Sequence, residues 1–145
     1  RQETVDIEPE EEEEDTVEIL RETRISLEHD LESFIVEQIQ TVENGLKLKE
    51  PNYRQVSVNS GRIDVLAEDS QGNTVIIELK AGQARDRVLA QTLAYMSDMS
   101  EVKGNTKTRG IVIAHSFSDR LLQAVKMVPM VKLLKYSIKF EFEKP

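Results

Sequence analysis

Asp64, Glu78 and Lys80 are the residues of this chain whose types and spacing suit chemistry. Glu78 and Lys80 are two apart in Ile76-Ile77-Glu78-Leu79-Lys80, so on a strand their side chains leave the same face. That strand is otherwise apolar, and a carboxylate and an ammonium buried there are costly unless paired or bound to a metal. Asp64 lies in the preceding strand-like segment, which a hairpin loop folds back antiparallel to the first. A short register sets Asp64 beside Glu78. Two adjacent carboxylates repel each other, and a divalent cation resolves that conflict. Oxygen-only ligands, with no His or Cys, point to a hard ion, Mg²⁺ or Mn²⁺. The chemistry this suits is phosphodiester hydrolysis. Lys80 would orient or help deprotonate the attacking water, or stabilise the developing negative charge. Gln91 and Tyr95 are one helical turn apart and can face the same site, with Gln91 helping to position the water. Glu32 or Glu28 can add a carboxylate.

These residues need elements to hold them. Leu27, Leu31, Phe34, Ile35, Ile39 and Val42 recur at helical spacing, which predicts an amphipathic helix over 27–43. Ser26 is its expected N-cap, and Asn44-Gly45 its end, with Gly45 left-handed. At about 100° per residue Glu28 falls inside the apolar arc and Glu32 at its edge. Tyr53–Val58 and Arg62–Glu68 read as strands separated by Asn59-Ser60-Gly61, and Asp69–Asn73 as a hairpin loop. Gly61 and Gly72 fit turn geometry. Thr74–Lys80 reads as a central strand, because Val75-Ile76-Ile77 is continuously apolar, with Ala81-Gly82 breaking it. A helix over 84–99, a polar loop over Lys103–Thr108, a strand over Gly110–Ala114 and a helix over Asp119–Met127 follow. Pro129 stops that helix, and Tyr136–Phe142 alternates as a final strand. The order α-β-β-β-α-β-α-β predicts an α/β sandwich around a central mixed sheet.

The Asp64…Glu78-Leu79-Lys80 pattern is similar to the PD-(D/E)XK nuclease superfamily. The fuller pattern resembles the catalytic domain of the NucS endonuclease family, DNA-cutting enzymes linked to mismatch repair. The matching pieces are Leu31-Glu32, Gly45-Leu46-Lys47-Leu48, Gly61-Arg62-Ile63-Asp64, Gly72, Ile77-Glu78-Leu79-Lys80, Gln91–Tyr95 and Arg109-Gly110-Ile111-Val112, spanning residues 27–142. The resemblance implies a restriction-endonuclease-like fold. It implies that Asp64, Glu78 and the Leu79 carbonyl bind the metal, that Lys80 is the catalytic lysine, that Glu32 is an accessory acid, and that Gln91 and Tyr95 line the site. Family members carry an N-terminal DNA-binding and dimerisation domain, so such a domain is expected to have been cut away here or never to have been present. Ile63 stands where Pro often precedes the Asp, and no clamp-binding peptide is evident at the C-terminus.

Composition bounds the rest. A length of 145 residues fits one domain. The absence of cysteine excludes a disulfide scaffold, a thiol nucleophile and cysteine zinc sites, and two histidines make a histidine-rich metal centre unexpected. Residues 1–26 hold three basic and eleven acidic groups and so carry the whole net charge of −8. They read as an acidic, disordered tail before a neutral domain at 27–145. No apolar run reaches the roughly 18 residues of a membrane span, and no secretory signal opens the chain, so a cytoplasmic location is expected. Arg62, Arg85, Arg87, Lys103, Lys107 and Arg109 are candidate phosphate contacts, with Arg62, Arg85 and Tyr95 foremost as substrate-binding residues. Aromatics make up only 5%, which argues against base-stacking recognition. The sequence therefore reads as a metal-dependent DNA endonuclease. Cutting both strands needs two sites, which points to a homodimer. The rival reading keeps the fold without catalysis, as a nucleic-acid-binding or scaffolding module.

Overall fold

The continuously apolar Val75-Ile76-Ile77 run lies at the centre of a six-stranded sheet, buried on both faces. The computed structural model describes residues 9–103 and 107–145. Helix α1 spans Pro9–Glu37 and a short α2 spans Ile39–Val42. Strands β1 (Lys47–Leu48), β2 (Arg54–Val58), β3 (Gly61–Glu68) and β4 (Thr74–Ala84) follow. Helix α3 (Arg87–Lys103), β5 (Thr108–Phe117), α4 (Asp119–Val125) and β6 (Val131–Lys135) complete the chain. β1 and β2 share one edge of β3, both antiparallel to it, and β3 is antiparallel to β4. β4, β5 and β6 are parallel, with α3 and α4 as the crossovers. This is the mixed sheet that the element order predicts, with two layers of side chains.

One layer joins Ile35 of α1 with Leu46, Val65, Val75, Ile77 and Ile113. The other joins α3, through Val88, Tyr95, Met96 and Met99, with Leu66, Ile76 and Val112. Alternation along β4 divides its residues between the two. At Gly110 of β5 the helix comes so close that an added Cβ would lie 2.5 Å from the Thr92 methyl. Glycine is required there for contact between α3 and the sheet.

Several boundaries differ from those the sequence suggests. Ser26 sits within α1 and does not cap it, because the helix runs continuously from Pro9. The acidic stretch from residue 9 onward is therefore helical, and residues 1–8 of the expected tail lie outside the described residues. Val17, Ile19, Leu20 and Ile25 on that extension are exposed. The helix breaks at Gln38, and Gly45 adopts the expected left-handed φ of +89°. β4 does not end at Ala81-Gly82. Its pairing moves from Lys80↔Ala114 to Gln83↔Ser116, so the strand bulges by one residue and continues. The final strand is Val131–Lys135, not Tyr136–Phe142. The alternating Ile138, Phe140 and Phe142 have no neighbouring strand among the described residues and stay exposed. No helix among the described residues is long and apolar enough to cross a membrane.

Candidate active site

Asp64 stands between two neighbouring strands. Pairs Arg54↔Val65 and Val56↔Ile63 flank it, and the position between them sets Gln55 of β2 opposite Asp64. Pair Val65↔Ile77, continued one residue, sets Glu78 of β4 opposite it on the other side. At this point side chains replace the ladder. The Asp64 N–H donates to Glu78 Oε2 at 3.1 Å, and the Leu79 N–H donates to Asp64 Oδ2 at 2.9 Å. Each backbone donor freed where the strands part finds a carboxylate, and both carboxylates are fixed by the backbone.

Helix α1 crosses above and adds two acids. Glu32, buried, accepts from Arg54 Nε at 2.9 Å and from Gln55 Nε2 at 3.0 Å. The same Gln55 Nε2 donates to Asp64 Oδ1 at 3.2 Å. Among the described residues Gln55 is the one non-glycine with positive φ, at +50°. Holding a side-chain-bearing residue there costs on the order of 1 kcal/mol. Glu28, one turn earlier, accepts from the Ala81 N–H at 2.9 Å, and the Tyr136 hydroxyl donates to the Ala81 carbonyl. The bulge just after Lys80 is thus clasped at both of its peptide groups.

Burial dominates the electrostatics. It raises Asp64 above the ordinary carboxylate range, against the Leu79 and Gln55 hydrogen bonds that pull it down. Burial and then the adjacent Asp64 charge push Glu78 up to about 8, with Lys80 pulling the other way. Asp64, Glu78, Glu32 and Lys80 therefore share one field. A cleft of about 630 Å³ opens over Asp64 and Leu79, lined also by Glu28, Glu32, Gln55 and Arg62. On the other side of Glu28 a second cleft of about 430 Å³ is lined by Lys80, Arg85 and Arg24.

Of the residues singled out from sequence, Asp64, Glu78, Lys80 and Glu32 converge, and Arg62 and Arg85 line the two clefts. Gln91 is half-buried on α3 and lines neither cleft. Tyr95 lines neither cleft. It is 4% exposed in the α3 layer, with its hydroxyl against Gly61. A methyl group at Gly61 would lie 2.6 Å from that hydroxyl, so this glycine admits Tyr95 as well as making the turn. Arg109, a candidate phosphate contact, is instead paired with Glu43 and Asp69. Sequence reasoning missed Gln55, Arg54 and Tyr136. No spacing marks Gln55, a polar residue on an alternating strand, and only its backbone conformation and two acidic partners reveal it.

The donor set fits a hard divalent ion. Two carboxylates side by side, Glu78 buried and Asp64 half-buried, are poor anions without one, and the hydrogen bonds at Glu78 use only Oε2. Among the described residues no group of three or more His, Asp or Glu side chains forms a full ligand set. Mg²⁺ commonly takes one or two carboxylates and keeps several waters, which suits this pair.

The family model for the endonuclease NucS C-terminal domain matches residues 27–133. The chain belongs to that family. Its NucS relatives include the endonuclease NucS of Thermococcus kodakarensis, 34% identical over 99 residues, covering 66% of this chain and 38% of the relative. The NucS of Sulfolobus acidocaldarius is 27% identical over 106 residues, covering 73% of this chain and 40% of the relative. Among solved structures, a repair endonuclease from Pyrococcus abyssi superposes with a TM-score of 0.66 at 27% identity, covering 75% of this chain and 46% of the other. An EndoMS–double-stranded DNA complex gives a TM-score of 0.66 at 26% identity, covering 77% and 46%. The restriction-endonuclease-like fold expected from sequence is the fold of these NucS neighbours. The chain spans about two-fifths of the curated NucS relatives' length.

Proposed function

We propose that this domain is a metal-dependent DNA endonuclease that hydrolyses phosphodiester bonds, acting in repair on mismatched or branched duplexes. The observation that carries the proposal is the Asp64–Glu78 pair, set side by side at the parting of β3 and β4 with Lys80 two residues on. Asp64 and Glu78, with the Leu79 carbonyl, would hold Mg²⁺ or Mn²⁺, which when bound polarises the phosphoryl oxygen and acidifies water. Lys80, close enough to oppose the burial of both acids, would orient the attacking water and stabilise charge developing on the phosphate. Arg62, which lines one cleft, and Arg85, which lines the other, would contact backbone phosphates. The solved relative in complex with double-stranded DNA supports DNA as the substrate. The relatives' greater length supports a further DNA-binding domain, and cutting of both strands calls for a second copy.

Nicking of supercoiled plasmid, and of mismatched and branched duplexes, in Mn²⁺ and then EDTA tests the reading. Cleavage should require the metal and fall by at least about a hundredfold in Lys80→Ala, Asp64→Ala and Glu78→Ala. A folded chain that neither cuts nor binds Mn²⁺ at millimolar concentration would leave the non-catalytic DNA-binding module as the function.

A further inference from the structure

We propose that Gln55 is a positioning residue that fixes the Asp64 carboxylate for the reaction, and that Glu32 serves as its anchor and not as a ligand. The inference rests on the nuclease reading above. The Gln55 carboxamide nitrogen bridges Glu32 Oε2 at 3.0 Å and Asp64 Oδ1 at 3.2 Å. An amide has two N–H donors, so each acid receives one. Leu79 N–H already holds Asp64 Oδ2, so the Gln55 bond completes the orientation of that carboxylate while each oxygen keeps a free lone pair for a ligand. Glu32 is itself neutralised by Arg54, which also donates to the Ser33 hydroxyl. Gln55 therefore separates the ion-paired Glu32 from Asp64 and its neighbour Glu78.

A neutral donor is the right chemistry at this place. A lysine or arginine would orient Asp64 equally well, but its charge would oppose a cation at the same carboxylates. The backbone supports the same conclusion. Gln55 holds a φ of +50°, and this conformation brings a side chain from β2 between two acids of α1 and β3. Strain of this kind persists where surrounding bonds over-determine it.

Four measurements on the full chain test the proposal. Gln55→Gly removes the carboxamide together with the backbone strain, and Gln55→Leu keeps the bulk. Both variants should bind Mn²⁺ about tenfold more weakly by calorimetry and nick plasmid correspondingly more slowly. The Gly variant should unfold at no lower a temperature than the parent, which separates positioning from structural support. In ¹⁵N spectra of the parent, the Gln55 side-chain protons should be shifted from free glutamine, and Asp64→Ala should return one of them. Mn²⁺ affinity within twofold of the parent in both variants would overturn the proposal, as would free-glutamine shifts in the parent. Shifted protons in a parent that neither binds Mn²⁺ nor nicks would sink the nuclease reading instead, and the role of Gln55 with it.

Discussion

Glu78 ordinarily titrates at 4.5, and burial beside Asp64 holds it near 8. Between those values the folded chain keeps a proton that the unfolded chain has lost. The stabilisation is full below pH 4.5 and is lost as pH rises toward 8. In metal-free buffer the unfolding midpoint of the parent should therefore fall across this window, and Glu78→Gln should flatten the slope. Equal slopes in the two proteins would show that the acid is not buried as described. The convergence of Asp64, Glu78 and Lys80 is legible in the sequence because an acid and an ammonium on one face of an otherwise apolar strand call for partners on the strand beside it. The burial of Tyr95 in the core layer is not legible, because an aromatic one turn from Gln91 has the same spacing whether it faces a cleft or a core. Its neighbour Gly61 gives a sharp check. Gly61→Ala brings a methyl against the Tyr95 hydroxyl at a φ of +151° and should cost about 1–3 kcal/mol in denaturant unfolding. A cost near zero would mean that Tyr95 is free to move outward.

Elements position these groups through their irregularities. The bulge in β4 is clasped by Glu28 from α1 and by Tyr136 from the segment after β6. Lys80, immediately before it, is thereby tied to two parts of the chain far apart in sequence. The sequence showed a break at Ala81-Gly82 but not its kind, since a small residue and a glycine end a strand and bulge one equally well. The misplaced final strand has a similar cause. Alternation reports a half-buried strand only when a partner covers one face, and the partner of Tyr136–Phe142 was assumed. The α3–β5 contact gives a prediction at this scale. Gly110→Ala should destabilise by about 1–3 kcal/mol, because its Cβ meets the Thr92 methyl. Adding Thr92→Ser, which removes that methyl, should recover part of the loss; strict additivity would show that the clash is relieved elsewhere.

Across the whole molecule, stability belongs to the sheet and its two layers, not to residues 16–26 of α1. Residues 16–26 there are exposed. Ile19→Gln combined with Leu20→Gln should change the unfolding free energy by less than about 0.5 kcal/mol. A larger loss would mean that the helical extension has a partner in solution. At the hairpin end of the sheet, Arg109 joins Glu43 after α2, Asp69 of the hairpin loop and its own strand β5 into one ion-pair group, with Lys132 of β6 adding to Glu43. That group closes the end of the sheet away from the Asp64–Glu78 pair. Among the described residues β6 pairs only with β5. Its outer rim offers unpaired backbone groups, and the exposed side chains along it are Lys132 and Lys135. Positive charges on such a rim keep chains from zipping together edge to edge. The strand that completes the sheet therefore also guards the protein's colloidal behaviour, and neutralising those two lysines would be felt first as turbidity in a concentrated sample.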